Sequence, residues 1–199
     1  MFYHKHPYQP FIKNDTTKLI VGTLPPPRFS TGELLEKDVD FCYGSRDGQL
    51  WPILNQIFGL NLKYETTSEA VKQRKNFLIE QKIGICDIVQ SAERTKVDAF
   101  DLGMKNVTLR NLIAYLHKYN KVEWLLFTGG NSKNGPEYFF RKHIKQYDLK
   151  LELEAGVFKY LMDCTPTARD ILPKELPSDC NTLELSIGRT TSLMGLANN

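Results

Sequence analysis

An aspartate inside an apolar run is the first residue of this sequence that asks for a chemical reason. Asp87 lies within Ile83-Gly84-Ile85-Cys86-Asp87-Ile88-Val89, and a carboxylate there must face a polar cleft or be satisfied by donors, because an unpaired buried charge is costly. Facing a cleft, it can accept an N–H group. Satisfied, it caps a neighbouring loop or pairs with Arg94. A second carboxylate, Asp47, stands in Phe41-Cys42-Tyr43-Gly44-Ser45-Arg46-Asp47-Gly48-Gln49-Leu50-Trp51. There it is either a helix N-cap or an acid facing a reacting centre, with Tyr43 stacking on a planar ring. Gly129-Gly130-Asn131 offers backbone to a ligand or serves as a plain strand-to-helix turn.

The elements that must position these residues follow from periodicity. Lys18 to Gly22 is a short β-branched run halted by Thr23-Leu24-Pro25-Pro26-Pro27, a buried strand entering a rigid loop that is not helical. Ile83 to Val89 reads as a second strand, Val122 to Thr128 as a third, and a fourth is expected near Phe158 to Met162. Helices are expected from Leu50 to a stop near Gly59, after a Thr67 or Ser68 cap, over Asn106 to Tyr119 and over Pro136 to Tyr147. Strand and helix in alternation predict an α/β fold: a three-layer sandwich with a central, mainly parallel four-stranded sheet flanked by helices. In such sheets ligands bind beyond the carboxyl ends of the strands, which directs attention to Thr23 to Pro27, Asp87 to Arg94, Thr128 to Asn131 and Asp163 to Arg169.

With 199 residues and no internal repeat or linker, the chain is read as a single domain, 1–199. Its 41% hydrophobic and 25% charged residues suit a globular protein, and no apolar run is long enough to cross a bilayer. A net charge of +3 permits a polyanionic partner without demanding one. Cys42, Cys86, Cys164 and Cys180 are far apart, so a reducing cytoplasm is the expected location. His4 and His6 sit beside Pro7 and Pro10 in what reads as a solvated terminal arm, and no metal ligand set or cofactor is expected. No G-x-x-x-x-G-K loop, Ser-His-Asp order, H-E-x-x-H helix or kinase motif set is present, which argues against those catalytic classes.

Taken in order, these motifs resemble the uracil-DNA glycosylase superfamily, most closely its hypoxanthine and mismatch-type branch. Gly22-Thr23-Leu24-Pro25 is similar to the family's first motif, and Tyr43-Gly44 with Leu50-Trp51 to the aromatic segment entering the next helix. Ile85 to Val89 with Ser91-Ala92-Glu93-Arg94 resembles the strand whose polar end residue contacts the extruded base, and Phe127-Thr128-Gly129 resembles the end of the third strand. Cys164-Thr165-Pro166-Thr167-Ala168-Arg169 resembles the loop that enters the minor groove, with Ser186-Ile187-Gly188-Arg189 as a rival location. Two departures matter. Leu24 stands where many relatives carry an Asp or Asn that positions water, and Gly48 aligns with an asparagine of the branch, leaving neighbouring Asp47 as the substitute.

The resemblance implies a monomeric DNA glycosylase acting on DNA with a damaged or mismatched base. A base-binding set of Thr23, Leu24, Pro25, Tyr43 and Asp87 would hold the flipped base, with Asp47 as the catalytic carboxylate. Arg28, Arg46, Arg94, Thr165, Pro166, Thr167 and Arg169 would contact the DNA. Two other classes stay open: a DNA-binding module of the same fold without hydrolysis, and a small-molecule α/β enzyme acting on a nucleoside or nucleotide.

Overall fold

The computed structural model describes residues 1–95, 103–129 and 132–147 in full and the backbone of Val157–Lys159 and Glu184–Arg189. The elements are β1 (Phe2–Lys5), β2 (Lys18–Val21), α1 (Pro27–Thr31), α2 (Leu50–Phe58), α3 (Ser68–Glu80), β3 (Ile83–Ile85) and β4 (Val89–Arg94). They continue with β5 (Met104–Leu109), α4 (Leu112–Lys118), β6 (Trp124–Phe127), α5 (Pro136–Ile144), β7 (Val157–Lys159) and β8 (Glu184–Arg189). A short 3₁₀ turn, Lys145–Tyr147, follows α5.

The central sheet has the order β3-β2-β6-β8-β7. Its first three strands are parallel, with Leu19 opposite Gly84 and Leu125, while β8 and β7 join antiparallel. Alternating residues feed two cores. Leu19, Val21, Leu125 and Phe127 pack with Leu112, Leu116, Phe139 and Phe140 of α4 and α5. Ile20, Ile83, Ile85 and Leu126 pack with Trp51, Leu54, Phe77 and Leu78 of α2 and α3. Helices thus cover both faces, which is why the strands read as unbroken apolar runs.

Local chemistry accounts for the helix ends. Thr67 caps α3 by accepting from the Ala70 N–H (3.3 Å). Gly59 closes α2 at φ 60°, a left-handed position that suits glycine. Pro136 opens α5 at its first turn, where no N–H partner is needed.

Several expectations require correction. The sheet is not one four-stranded, mainly parallel layer: three parallel strands carry two antiparallel ones, and a separate antiparallel sheet, β1-β4-β5, lies outside it. The run Ile83 to Val89 is not one strand, because the chain leaves the central sheet after Ile85 and re-enters pairing at Val89 in the second sheet. Residues 106–109, expected at the start of a helix, belong to β5, which pairs with β4, and the helix begins only at Leu112. Val107 and Thr108 are β-branched, and a neighbouring strand outcompeted the helical spacing. A short helix, α1, follows immediately on the proline loop. The expected fourth strand is represented by Val157–Lys159, while 160–162 lie outside the described residues.

The amino-terminal segment is no solvated arm. β1 pairs antiparallel with β4, His4 opposite Ala92, and Phe11 exchanges two backbone hydrogen bonds of 2.9 Å with Ile85. His4 is fully buried, its Nδ1 accepting from Arg94 Nε at 2.9 Å. That bond leaves the ring proton on Nε2, which is buried without a hydrogen-bond partner among the described residues. Burial, then the charge of Arg94, lowers the His4 pKa from 6.5 to about 4. The unfolded chain therefore binds this proton more readily, so stability is complete above pH 6.5 and declines as pH falls towards 4. Urea denaturation across this window should show a loss of up to about 3 kcal/mol in the wild type. His4→Asn, which keeps the acceptor for Arg94, should flatten that slope; an unchanged slope would remove His4 as its origin.

Candidate functional site

At the carboxyl ends of β2, β3 and β6 the backbone is sewn together before any side chain is placed. The Cys86 N–H donates to the Ile20 carbonyl (2.9 Å), the Ile88 N–H to Gly22 (2.8 Å) and the Thr128 N–H to Val21 (3.0 Å). Asp87, only 7% exposed, sits in this seam where the chain passes from the central sheet to the outer one.

Its carboxylate takes three donors from three separate segments. The Gly22 N–H (2.9 Å) and the Tyr43 hydroxyl (2.7 Å) donate to Oδ1, and His6 Nε2 donates to Oδ2 (2.8 Å). The tautomer of His6 follows from its other nitrogen: Tyr8 N–H donates to Nδ1 (3.1 Å), so the ring proton is on Nε2. The Tyr43 hydroxyl also lies 3.2 Å from Thr128 Oγ1 at the exit of β6. A side chain on Gly22 would run into the Tyr43 hydroxyl and stand 2.7 Å from Asp87 Oδ1, so this close approach requires glycine.

Tyr43 reaches Asp87 from a loop held under tension. Its φ is 59°, a left-handed conformation uncommon for a tyrosine. Val39 N–H donates to the Gly44 carbonyl (2.7 Å), and buried Trp51 donates its indole N–H to the Cys42 carbonyl (2.9 Å). Beneath the loop, fully buried Asp38 accepts from Arg28 Nε (2.7 Å) and Nη2 (2.9 Å) and from the Leu35 (2.9 Å) and Arg46 (2.8 Å) N–H groups. Burial alone would raise Asp38, but Arg28 and the Arg46 and Leu35 amides outweigh it and hold the carboxyl at about 2.

The cysteines here are not nucleophiles. Burial, reinforced by the Asp87 charge, raises Cys42 well above its ordinary value, and burial pushes Cys86 up to about 12. Burial and Asp87 likewise raise the Tyr43 phenol, keeping it a donor. Among the described residues no group of three or more His, Cys, Asp and Glu could hold a metal ion.

The structure thus brings together Gly22, Tyr43, Asp87 and Thr128 and adds His6, which its reading as part of a solvated arm had missed. The alternation His4, His6, Tyr8 was the available signal, since residues two apart in a strand share a face. Asp87 is not an open acceptor in a cleft; it is satisfied by protein donors, and Arg94 is not one of them. Thr23 and Pro25 are half-buried at the β2 exit, whereas Leu24 belongs to the apolar core at 9% exposure. Asp47 lies on the rim with its side chain 70% exposed, 3.2 Å from Arg28 and 3.9 Å from Arg46. Arg46 is exposed there, but Arg28 is committed to Asp38, and Arg94 is buried against His4 instead of facing a phosphate. Thr165, Pro166, Thr167, Arg169, Gly130 and Asn131 lie outside the described residues. The rival minor-groove segment Ser186 to Arg189 is part of β8, paired with β6, and is not a loop.

No protein-family model matches the chain, and no curated protein matches it. Among solved structures, it is similar in fold to the solution NMR structure of a candidate uracil DNA glycosylase from Methanosarcina acetivorans. The two share 15% identity at a TM-score of 0.52, over 75% of this chain and 81% of the other. The likeness is one of fold.

Two outcomes are expected from this geometry. Asp87→Asn must turn an amide N–H₂ towards at least one existing donor, and should cost roughly 1–3 kcal/mol in chemical denaturation. Tyr43→Phe, losing one of the three bonds, should cost about 1 kcal/mol; equal stability of both variants to wild type would refute the hub. For Asp38, whose folded pKa is depressed from 3.8 to about 2, stability is present above pH 4 and lost as pH falls towards 2. That limb should carry about 2 kcal/mol and be absent in Asp38→Asn, measured by acid titration of the unfolding midpoint.

Proposed function

We propose that this chain is a DNA glycosylase that hydrolyses the N-glycosidic bond of a deaminated base, uracil or hypoxanthine, turned out of a duplex. The observation that carries the reading is the meeting of the Gly22–Pro25 loop, Tyr43, Asp87 and Thr128 at the carboxyl ends of the parallel strands, in a fold similar to that of the archaeal protein. Turning out a nucleotide costs a few kcal/mol of stacking, least for a mispaired base. The base would lie beside Tyr43 and the Thr23–Pro25 loop. Asp87 then acts as a positioning residue, fixing Tyr43 and Gly22 through the bonds already described.

Asp47, exposed on the rim, is the carboxylate proposed to stabilise the oxocarbenium-like sugar and orient water. The base departs with the electron pair of the broken bond, and water adds to the sugar carbon with loss of a proton. Arg46 would hold phosphate beside it, and residues 165–169 would enter the minor groove. Duplexes carrying uracil, hypoxanthine, xanthine or a thymine mismatch should acquire alkali-labile abasic sites on incubation with purified protein, and Asp47→Ala should abolish them. Intact strands with every substrate would overturn the enzymatic reading.

One observation favours a second reading, a DNA-binding module without hydrolysis: Leu24 is packed into the apolar core, so nothing at that position holds a water. In that case a gel shift would show preference for mismatched over matched duplex with no product after long incubation. Equal, feeble binding to both would remove it.

A further inference from the structure

Beside the Asp87 seam, the amino-terminal segment, β4 and α4 border an open cavity of about 350 Å³. That volume falls within the roughly 300–1,000 Å³ usual for small-molecule sites. Its wall includes Lys5, His6, Gln90, Arg110, Tyr115 and Lys118, and among the described residues no carboxylate lines it. Arg110 is 92% buried by its 8% exposure, yet among the described residues only one of its guanidinium nitrogens is hydrogen-bonded: Nη2 donates to the Tyr8 carbonyl at 2.6 Å. Nε is buried with no partner among the described residues. Asp87 does not pair with it, being bonded to His6, Gly22 and Tyr43.

A buried guanidinium with unused donors carries a large desolvation cost unless an anion meets it. Its planar fork matches the oxygens of a phosphate or carboxylate, and Lys5 and Lys118 line the same cavity with long cationic side chains, the Lys118 ammonium lying 5.1 Å from the centre of the Tyr119 ring. Gln90 and Tyr115 contribute neutral polar groups at this wall. Among the described residues this wall carries no negative charge to repel an oxyanion. We propose that this cavity binds a phosphate group, held by Arg110 with Lys5 and Lys118. The phosphate belongs either to a free nucleotide or to a nucleic-acid backbone, and the inference does not depend on base excision.

The test uses the full chain with inorganic phosphate, followed by calorimetry and by the side-chain N–H resonance of Arg110 in ¹⁵N-labelled protein. Phosphate should bind and shift the Arg110 Nε–H resonance. The double variant Lys5→Glu with Lys118→Glu, both exposed side chains, should weaken binding at least about tenfold. Arg110→Gln should abolish it, and if that variant fails to fold the lysine pair still decides the matter. Phosphate affinity unchanged in the lysine variant, or an Arg110 signal unmoved at saturating phosphate, overturns the proposal.

The source is separated by two further titrations. A nucleoside monophosphate bound more tightly than inorganic phosphate, with DNA binding untouched by the lysine variant, identifies a free nucleotide. Short single-stranded DNA whose binding weakens in the lysine variant identifies the backbone. Because these readouts need no turnover, failure of base excision leaves them intact, and their failure leaves the excision assay intact.

Discussion

A single buried carboxylate ties the carboxyl ends of the parallel strands to the segments around them. Asp87 accepts hydrogen bonds from the amino-terminal segment, from the loop leaving β2 and from the loop before α2, three stretches far apart in the chain. A carboxylate out of water is tolerated only when its lone pairs are occupied, and here three donors occupy them. Each donor is itself fixed elsewhere: His6 by the Tyr8 amide, Gly22 by its ladder to Ile88, Tyr43 by a left-handed turn. The cost of stranding the charge therefore enforces a joint arrangement of segments that no local propensity would impose.

A second carboxylate, Asp38, does the same work one layer further out. Four donors converge on it, including both arms of the Arg28 fork, and the loop it organises delivers Tyr43 inward while leaving Arg46 and Asp47 on the rim. Two carboxylates thus divide the labour: one closes the strand ends, the other shapes the loop that reaches them. The exposed acid, Asp47, stands outside both arrangements and pairs on the rim with Arg28 and Arg46.

Positive charge is distributed with equal asymmetry. Arg74 is buried between the Trp51 and Tyr64 rings and donates from Nη1 to the Lys63 and Ala70 carbonyls, while its Nε meets no partner among the described residues. Arg110 has a single backbone acceptor and a cavity beside it. Both buried guanidinium groups thus keep an Nε without a partner among the described residues, and Arg110 in addition lines a cavity.

Much of this architecture could be read from residue order. The β-branched run at 18–21, the apolar run at 124–127, the amphipathic pattern from Leu50, the Thr67 cap and the Gly59 stop each carry a local cause, and each element formed near its expected bounds. Asp87 announced itself as an anomaly in an apolar stretch. Its partners could not be found that way, because His6 and Tyr43 lie 81 and 44 residues distant and nothing in their neighbourhoods points to a shared acceptor. Strand pairing likewise overrode local pattern at 106–109, and the pairing of β1 buried an arm that looked solvated. Short-range forces, propensity and periodicity, are written into neighbouring residues; the satisfaction of a buried charge is a long-range condition, met only when the folded chain brings its donors together.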